Sequence, residues 1–155
     1  MSARAEERLR GLGLVLPEPA KPAGDYVSAV RAGNLLFLSG VGPMRPDGSY
    51  VTGRVGDDLT VEQGYEAARL CGLVLLAAMR GSLGSLDRVG RIVKVLGMVR
   101  CRPDFGRQPA VIDGCTNLFA QVFGEAGRPA RSAVGMAALP FGIAVEVEAV
   151  AEVAD

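Results

Sequence analysis

Apolar positions recur at helical spacing in two stretches of the chain. Ala67, Leu70, Cys71, Val74, Leu75 and Ala78 make one face of a helix predicted to open at Thr60 and run to about Met79, before Gly81 and Gly84. Thr60 and Gln63 fit a capping box there, hydroxyl and amide each satisfying an orphan backbone N–H. Val111, Cys115, Leu118, Phe119 and Val122 make the face of a second helix, with Pro109 suited to its first turn and Gly124 to its end. Residues 91–101 between them are apolar on both parities, as in a strand covered on both faces. Residues 145–151 alternate, so that Val145, Val147 and Ala149 face one way and Glu146 and Glu148 the other.

Nearer the N-terminus, residues 2–11 are rich in helix formers, and the segment holding Pro17, Pro19 and Pro22 cannot continue a helix. A short helix and an extended arm over residues 1–24 are therefore expected ahead of one domain over residues 25–155. Residues 26–30 and 35–39 favour strands around a turn at 31–34, predicting a hairpin, and a short strand is predicted at 50–53 after two turn-rich loops. The order hairpin, strand, helix, strand, helix, strand, strand predicts an α+β fold, a sheet layered by two helices. With both helices on one face, the other face of 91–101 still needs cover. A subunit interface supplies it most economically.

Composition sharpens this picture. The 155 residues are 49% hydrophobic with a mean hydropathy of +0.26, rich for a small monomer and in keeping with an oligomer. There are 17 Lys and Arg against 17 Asp and Glu, so no chain-wide positive field exists to draw nucleic acid. With no His in the chain, Ser-His-Asp and Cys-His catalysis and imidazole metal sites are excluded. Cys71, Cys101 and Cys115 lack CxxC spacing and read as reduced thiols, the first two as packing and the third as core. The longest uncharged apolar stretch, 70–79, falls short of the roughly 20 residues of a membrane span. The charge-alternating start lacks a signal peptide's apolar region, so an unanchored cytoplasmic protein is expected.

Chemistry concentrates near the C-terminus. Arg131 stands at a strand start, and Glu146 and Glu148 lie on what is expected to be a neighbouring strand's polar face. A guanidinium can hold a substrate carboxylate through two parallel N–H···O bonds, and a carboxylate beside it can orient water or move a proton. The same spacing equally describes a structural Arg–Glu ion pair, and Glu148 in particular reads as an arginine's structural partner. Arg100 and Arg102 read as rim charges. Residues 40–42 make a poor phosphate loop, because no helix follows and Pro43 lacks an N–H.

The run Pro129-Ala130-Arg131-Ser132-x-Val134, Leu139-Pro140 and the alternating 145–151 segment resemble the C-terminal signature of the reactive intermediate deaminases. This family is also called RidA, YjgF or L-PSP endoribonuclease. Tyr26-Val27 and Ser39-Gly40-x-x-Pro43 extend the resemblance over most of the chain. It implies a chorismate-mutase-like fold of the bacillus type, a mixed sheet with two helices on one face, assembled as a homotrimer with sites in the clefts between subunits. It further implies hydrolysis of 2-enamino or 2-imino acids to 2-keto acids and ammonia, with no cofactor and no metal.

By the same resemblance Arg131 binds the substrate carboxylate and Glu146 positions or activates water, while Tyr26, Ser39 and Gly40 line the pocket. Asp113 falls where the family commonly has a pocket Asn, Ala133 where many active members have Cys, and Val41 where Gln is common. These departures motivate a second reading, a non-catalytic trimer that binds small carboxylic acids in the same cleft. A third is the endoribonuclease of the family's older name, which 3 Tyr, 5 Phe and a balanced charge do not favour.

Overall fold

Three helices and five strands account for the periodic segments of the chain: α1 (Ala5–Gly11), α2 (Val61–Leu83), α3 (Gln108–Phe123), β1 (Ala29–Ala32), β2 (Leu35–Val41), β3 (Val89–Arg100), β4 (Ala130–Met136) and β5 (Val145–Val153). They are seen in a computed structural model that describes residues 4–155. The capping box forms as predicted. The Gln63 N–H donates to Thr60 Oγ1 at 3.1 Å and the Thr60 N–H to Gln63 Oε1 at 2.9 Å. α2 runs past Met79 because Leu83 is still buried, and it stops at Gly84, whose φ of 84° closes the helix in the left-handed region.

The sheet order is β1-β2-β5-β3-β4, antiparallel except for β3 with β4. A parallel pair needs a long crossover, and α3 is that crossover. α2 packs on β5 and β2, and α3 on β3 and β4, so both main helices cover the same face. The two helices approach closely at Gly114, where an added Cβ would lie 2.0 Å from the Tyr65 carbonyl oxygen. α1 lies against α3, where it buries Leu9. Its Glu6 carboxylate accepts from Arg80 Nε at 3.0 Å and from the Leu86 N–H at 2.9 Å, and the Arg80 bonds hold its pKa below the usual carboxylate value.

Within a single chain the two faces of 91–101 are covered unequally, as expected with both helices on one side. Val95, Gly97 and Val99 are buried against the helices; on the other, more open face Met98 is buried but Leu96 is only partly covered, and Val30, Phe37 and Val134 are exposed. Other expectations are corrected. The 50–53 strand reduces to single rungs, Met44 with Tyr50 and Thr52 with Ile143, because Gly53 at φ 129° breaks the extended run. The first strand begins at Ala29, after a turn in which the Tyr26 N–H donates to the Gly24 carbonyl. Glu148, expected to pair with an arginine, forms no ion pair among the described residues. Arg100 is half-buried rather than a free rim charge, and its Nε is buried without a partner. All three cysteines are free and buried, and burial pushes the Cys71 and Cys115 thiols well up.

Candidate active site

The strand order decides which site residues can meet. β3 lies between β4 and β5, so Arg131 and Glu146 do not stand on neighbouring strands, contrary to the sequence expectation. Arg131 pairs with Val95 and Glu146 with Met98, three residues further along β3. From strand spacing and rise their Cα atoms are about 14 Å apart. The pleat separates them further. Arg131 shares the helix-facing side of Val95 and Ala149, while Glu146 belongs to the alternate set, with Glu148.

The candidate residues therefore fall into two groups. The first is built by β4 and α3. Arg131 Nη1 donates to Asp113 Oδ1 at 2.7 Å and to Thr116 Oγ1 at 3.0 Å, and Nη2 makes a long 3.4 Å bond to the Pro109 carbonyl. Asp113 and Thr116 lie one turn apart on α3, so the helix fixes the guanidinium from one side. The short bonds all use Nη1. The Nε–Nη2 edge keeps the side-by-side N–H pair that receives a carboxylate. Ala133 follows two residues along β4 on the same side, opposite Gly97, and packs against the core.

The second group surrounds a cavity of about 660 Å³ lined by Tyr26, Ser39, Gly40, Val41 and Glu146. An irregularity between Leu38 and Val41 interrupts the ladder to β5 and places Ser39 and Gly40 beside Glu146. Ser39 Oγ donates to the Val27 carbonyl at 2.7 Å, leaving its lone pairs free to accept. Tyr26, a half-exposed wall residue, accepts from the Ala23 N–H at 3.1 Å. Glycine at 40 lets the Glu146 carboxylate come close: a Cβ there would sit 2.8 Å from Glu146 Oε2. Partial burial raises the Glu146 pKa, and the charge of Glu148 on the same face raises it further.

The cavity has further walls that sequence reasoning missed: Ala20, Lys21, Pro22 and Ala23 of the arm, together with Tyr50 and Phe141. Phe141 carries φ 58°, is 83% exposed and sits in a single 3-10 turn at Pro140–Gly142. The Pro140-Phe141-Gly142 run is the one local signal for that turn. Among the described residues there is no group of three or more Cys, Asp or Glu placed to hold a metal ion. Among the described residues no helix is long and apolar enough to cross a membrane.

Residues 6–153 match a family model described as "YjgF/chorismate_mutase-like, putative endoribonuclease". The chain is 47% identical over 152 residues to Protein TCP17 of Trypanosoma cruzi, covering 97% of this chain and 95% of that one. It is 32% identical over 135 residues to a 2-iminobutanoate/2-iminopropanoate deaminase of Dermatophagoides farinae, covering 86% and 90%. A crystal structure of a putative endoribonuclease from Shewanella oneidensis superposes with a TM-score of 0.93 at 32% identity, covering 97% of this chain and 99% of that one.

Proposed function

The chain belongs to the YjgF/chorismate-mutase-like family, and from that membership we propose that it hydrolyses 2-imino and 2-enamino acids to 2-keto acids and ammonia at clefts between copies of itself. One observation carries the reading. Arg131, the anchor for a carboxylate, and Glu146, the group for water, stand on strands separated by β3 and in alternate side-chain sets in one chain, so each group is half a site. A second copy docked on the open sheet face, where Val30, Phe37 and Val134 are exposed, supplies the other half. The copies close into a trimer. The deaminase relative supports the reaction class.

In the assembled cleft the Nε–Nη2 edge of Arg131 takes the substrate's carboxylate, and Asp113 and Thr116 hold the guanidinium in that orientation. Glu146, ionised, accepts a proton from water as the water oxygen bonds to the imine carbon, the C=N π pair moves to nitrogen, and Glu146 passes that proton to the nitrogen. Glu146 then carries the carbinolamine's hydroxyl proton to the nitrogen, and as the oxygen lone pair forms the keto C=O the C–N bond breaks and ammonia leaves. An imine carbon is already electrophilic, so positioning supplies most of the acceleration. Asp113 does not repel the substrate, because its charge is balanced by Arg131 at 2.7 Å.

The Asp113–Arg131 pair and Ala133 also suit a second reading, a trimer that binds small carboxylic acids without turning them over. Ammonia release from imines made in situ by an amino-acid oxidase separates the two. Wild type accelerates it and Arg131→Ala loses about 100-fold or more in kcat/KM, the scale of a lost bidentate anchor and its positioning. Equal rates for wild type and Arg131→Ala refute the deaminase reading. Binding that depends on Arg131 without turnover selects the second.

A further inference from the structure

The cavity that holds Glu146 has one cation among its lining residues, Lys21, and one carboxylate, Glu146 itself. Lys21 reaches it because the arm is fastened on either side. Pro19 Cγ lies 3.6 Å from where a Cβ at Gly81 of α2 would stand. The Ala20 carbonyl accepts from Ser28 Oγ at 3.5 Å, and the Ala23 N–H donates to the Tyr26 hydroxyl. Pro17, Pro19 and Pro22 fix φ along this stretch, so the backbone presents Lys21 from a stiff segment. Lys21 forms no ion pair within 4.0 Å of an acidic group among the described residues.

The remainder of the cavity is largely apolar, with Val74, Ala78, Pro140, Phe141 and Ile143 on its walls. At about 660 Å³ it falls in the roughly 300–1,000 Å³ range of small-molecule sites and has room for more than a methyl or ethyl side chain. With the first carboxylate held by Arg131 of another copy and the imine carbon facing Glu146, as the deaminase reading has it, this space is open to the substrate's side chain. A second negative charge there would be repelled by Glu146 unless a cation met it. Lys21 is the cation available.

We propose that Lys21 is a specificity-determining residue that receives a second carboxylate at the far end of the substrate, so that the site prefers imines of acidic amino acids to neutral ones of the same length. The proposal rests on the deaminase reading, and two readouts keep them separable. In the first, the full-length protein is given imines formed in situ from glutamate and from norleucine, and the ratio of their kcat/KM values is measured. Lys21→Ala lowers the glutamate-to-norleucine ratio about tenfold, Lys21→Glu lowers it further, and Lys21→Arg restores it. In the second, thermal shift is recorded with 2-oxoglutarate against 2-oxohexanoate, and the extra shift given by the dicarboxylate disappears in Lys21→Ala.

Lys21 is exposed, so its variants fold, and an unchanged melting temperature without ligand checks this. A glutamate-to-norleucine ratio and a dicarboxylate shift both unmoved by Lys21→Ala overturn the proposal while leaving the deaminase standing. A Lys21-dependent dicarboxylate shift with no turnover of any imine supports the second-carboxylate site and removes the deaminase reading instead.

Discussion

Replacing Gly40 by Ala disturbs the candidate base without touching it chemically. The new Cβ would stand 2.8 Å from Glu146 Oε2, 3.1 Å from Cδ and 3.3 Å from Cγ. The carboxylate must retreat by at least about 0.6 Å to reach ordinary contact distance. It is the far end of a rotatable side chain beside an open cavity, so the retreat needs little rearrangement of the core, and the stability loss stays within about 1 kcal/mol. For a chain of this size that moves the melting temperature by roughly 2–4 °C. Catalysis is far less tolerant, because a misplacement of about 1 Å costs on the order of 100-fold. The expected result is a 10- to 100-fold fall in kcat for imine hydrolysis in a folded protein with nearly native melting. The double variant Gly40→Ala, Glu146→Gln loses no more than Glu146→Gln alone, since both act on one group. Full activity in Gly40→Ala, or additive losses in the double variant, would refute the placement of Glu146 as the group that handles water.

Three further outcomes are expected. Gly114→Ala forces a Cβ against backbone at 2.0 Å, which neither α2 nor α3 can yield cheaply, so calorimetry should show a loss of about 3 kcal/mol or more; a native melting temperature contradicts the tight helix contact. The lowered Glu6 pKa means that its bond to Arg80 stabilises the fold above the unfolded value of 4.5 and ceases to do so as pH falls through the folded pKa. Wild type should therefore exceed Glu6→Gln in stability at pH 7 and converge with it in acid, and a gap that widens on acidification would be inconsistent. Glu146 works ionised and its pKa is raised, so the acidic limb of kcat/KM lies above 4.5; Glu148→Gln, by removing a neighbouring negative charge, should move that limb to lower pH, and an unmoved or rising limb counts against the coupling.

Local chemistry was legible wherever it was written in adjacent residues. The Thr60–Gln63 capping box, Pro109 at the start of α3 and the alternation of 145–151 each follow from the bonds or faces those residues make with near neighbours. Strand order was not legible, because nothing in β4 or β5 records that β3 intervenes, and that one fact separates Arg131 from Glu146. Asp113 could be placed near Arg131 only through family resemblance, and its role as the arginine's partner emerged from the packing of α3 on β4. Lys21 and Phe141 were invisible as site residues, since the walls they share are completed by α2, β2 and β5, which lie far from them along the chain. The apolar parity of 91–101 carried information of another kind. Part of it describes a face on which a single chain leaves Leu96 only partly covered.

The central claim is that Arg131 of one copy and Glu146 of another make one site, and complementation tests it most directly. Arg131→Ala and Glu146→Gln chains carrying different tags are co-expressed, mixed oligomers are isolated by both tags in succession, and imine hydrolysis is measured. Each variant alone is expected to be inactive. A mixed trimer contains one interface that joins an intact Arg131 to an intact Glu146, so it should recover about one third of wild-type turnover. Mixed oligomers that form but stay as inactive as either parent would contradict a site shared between copies.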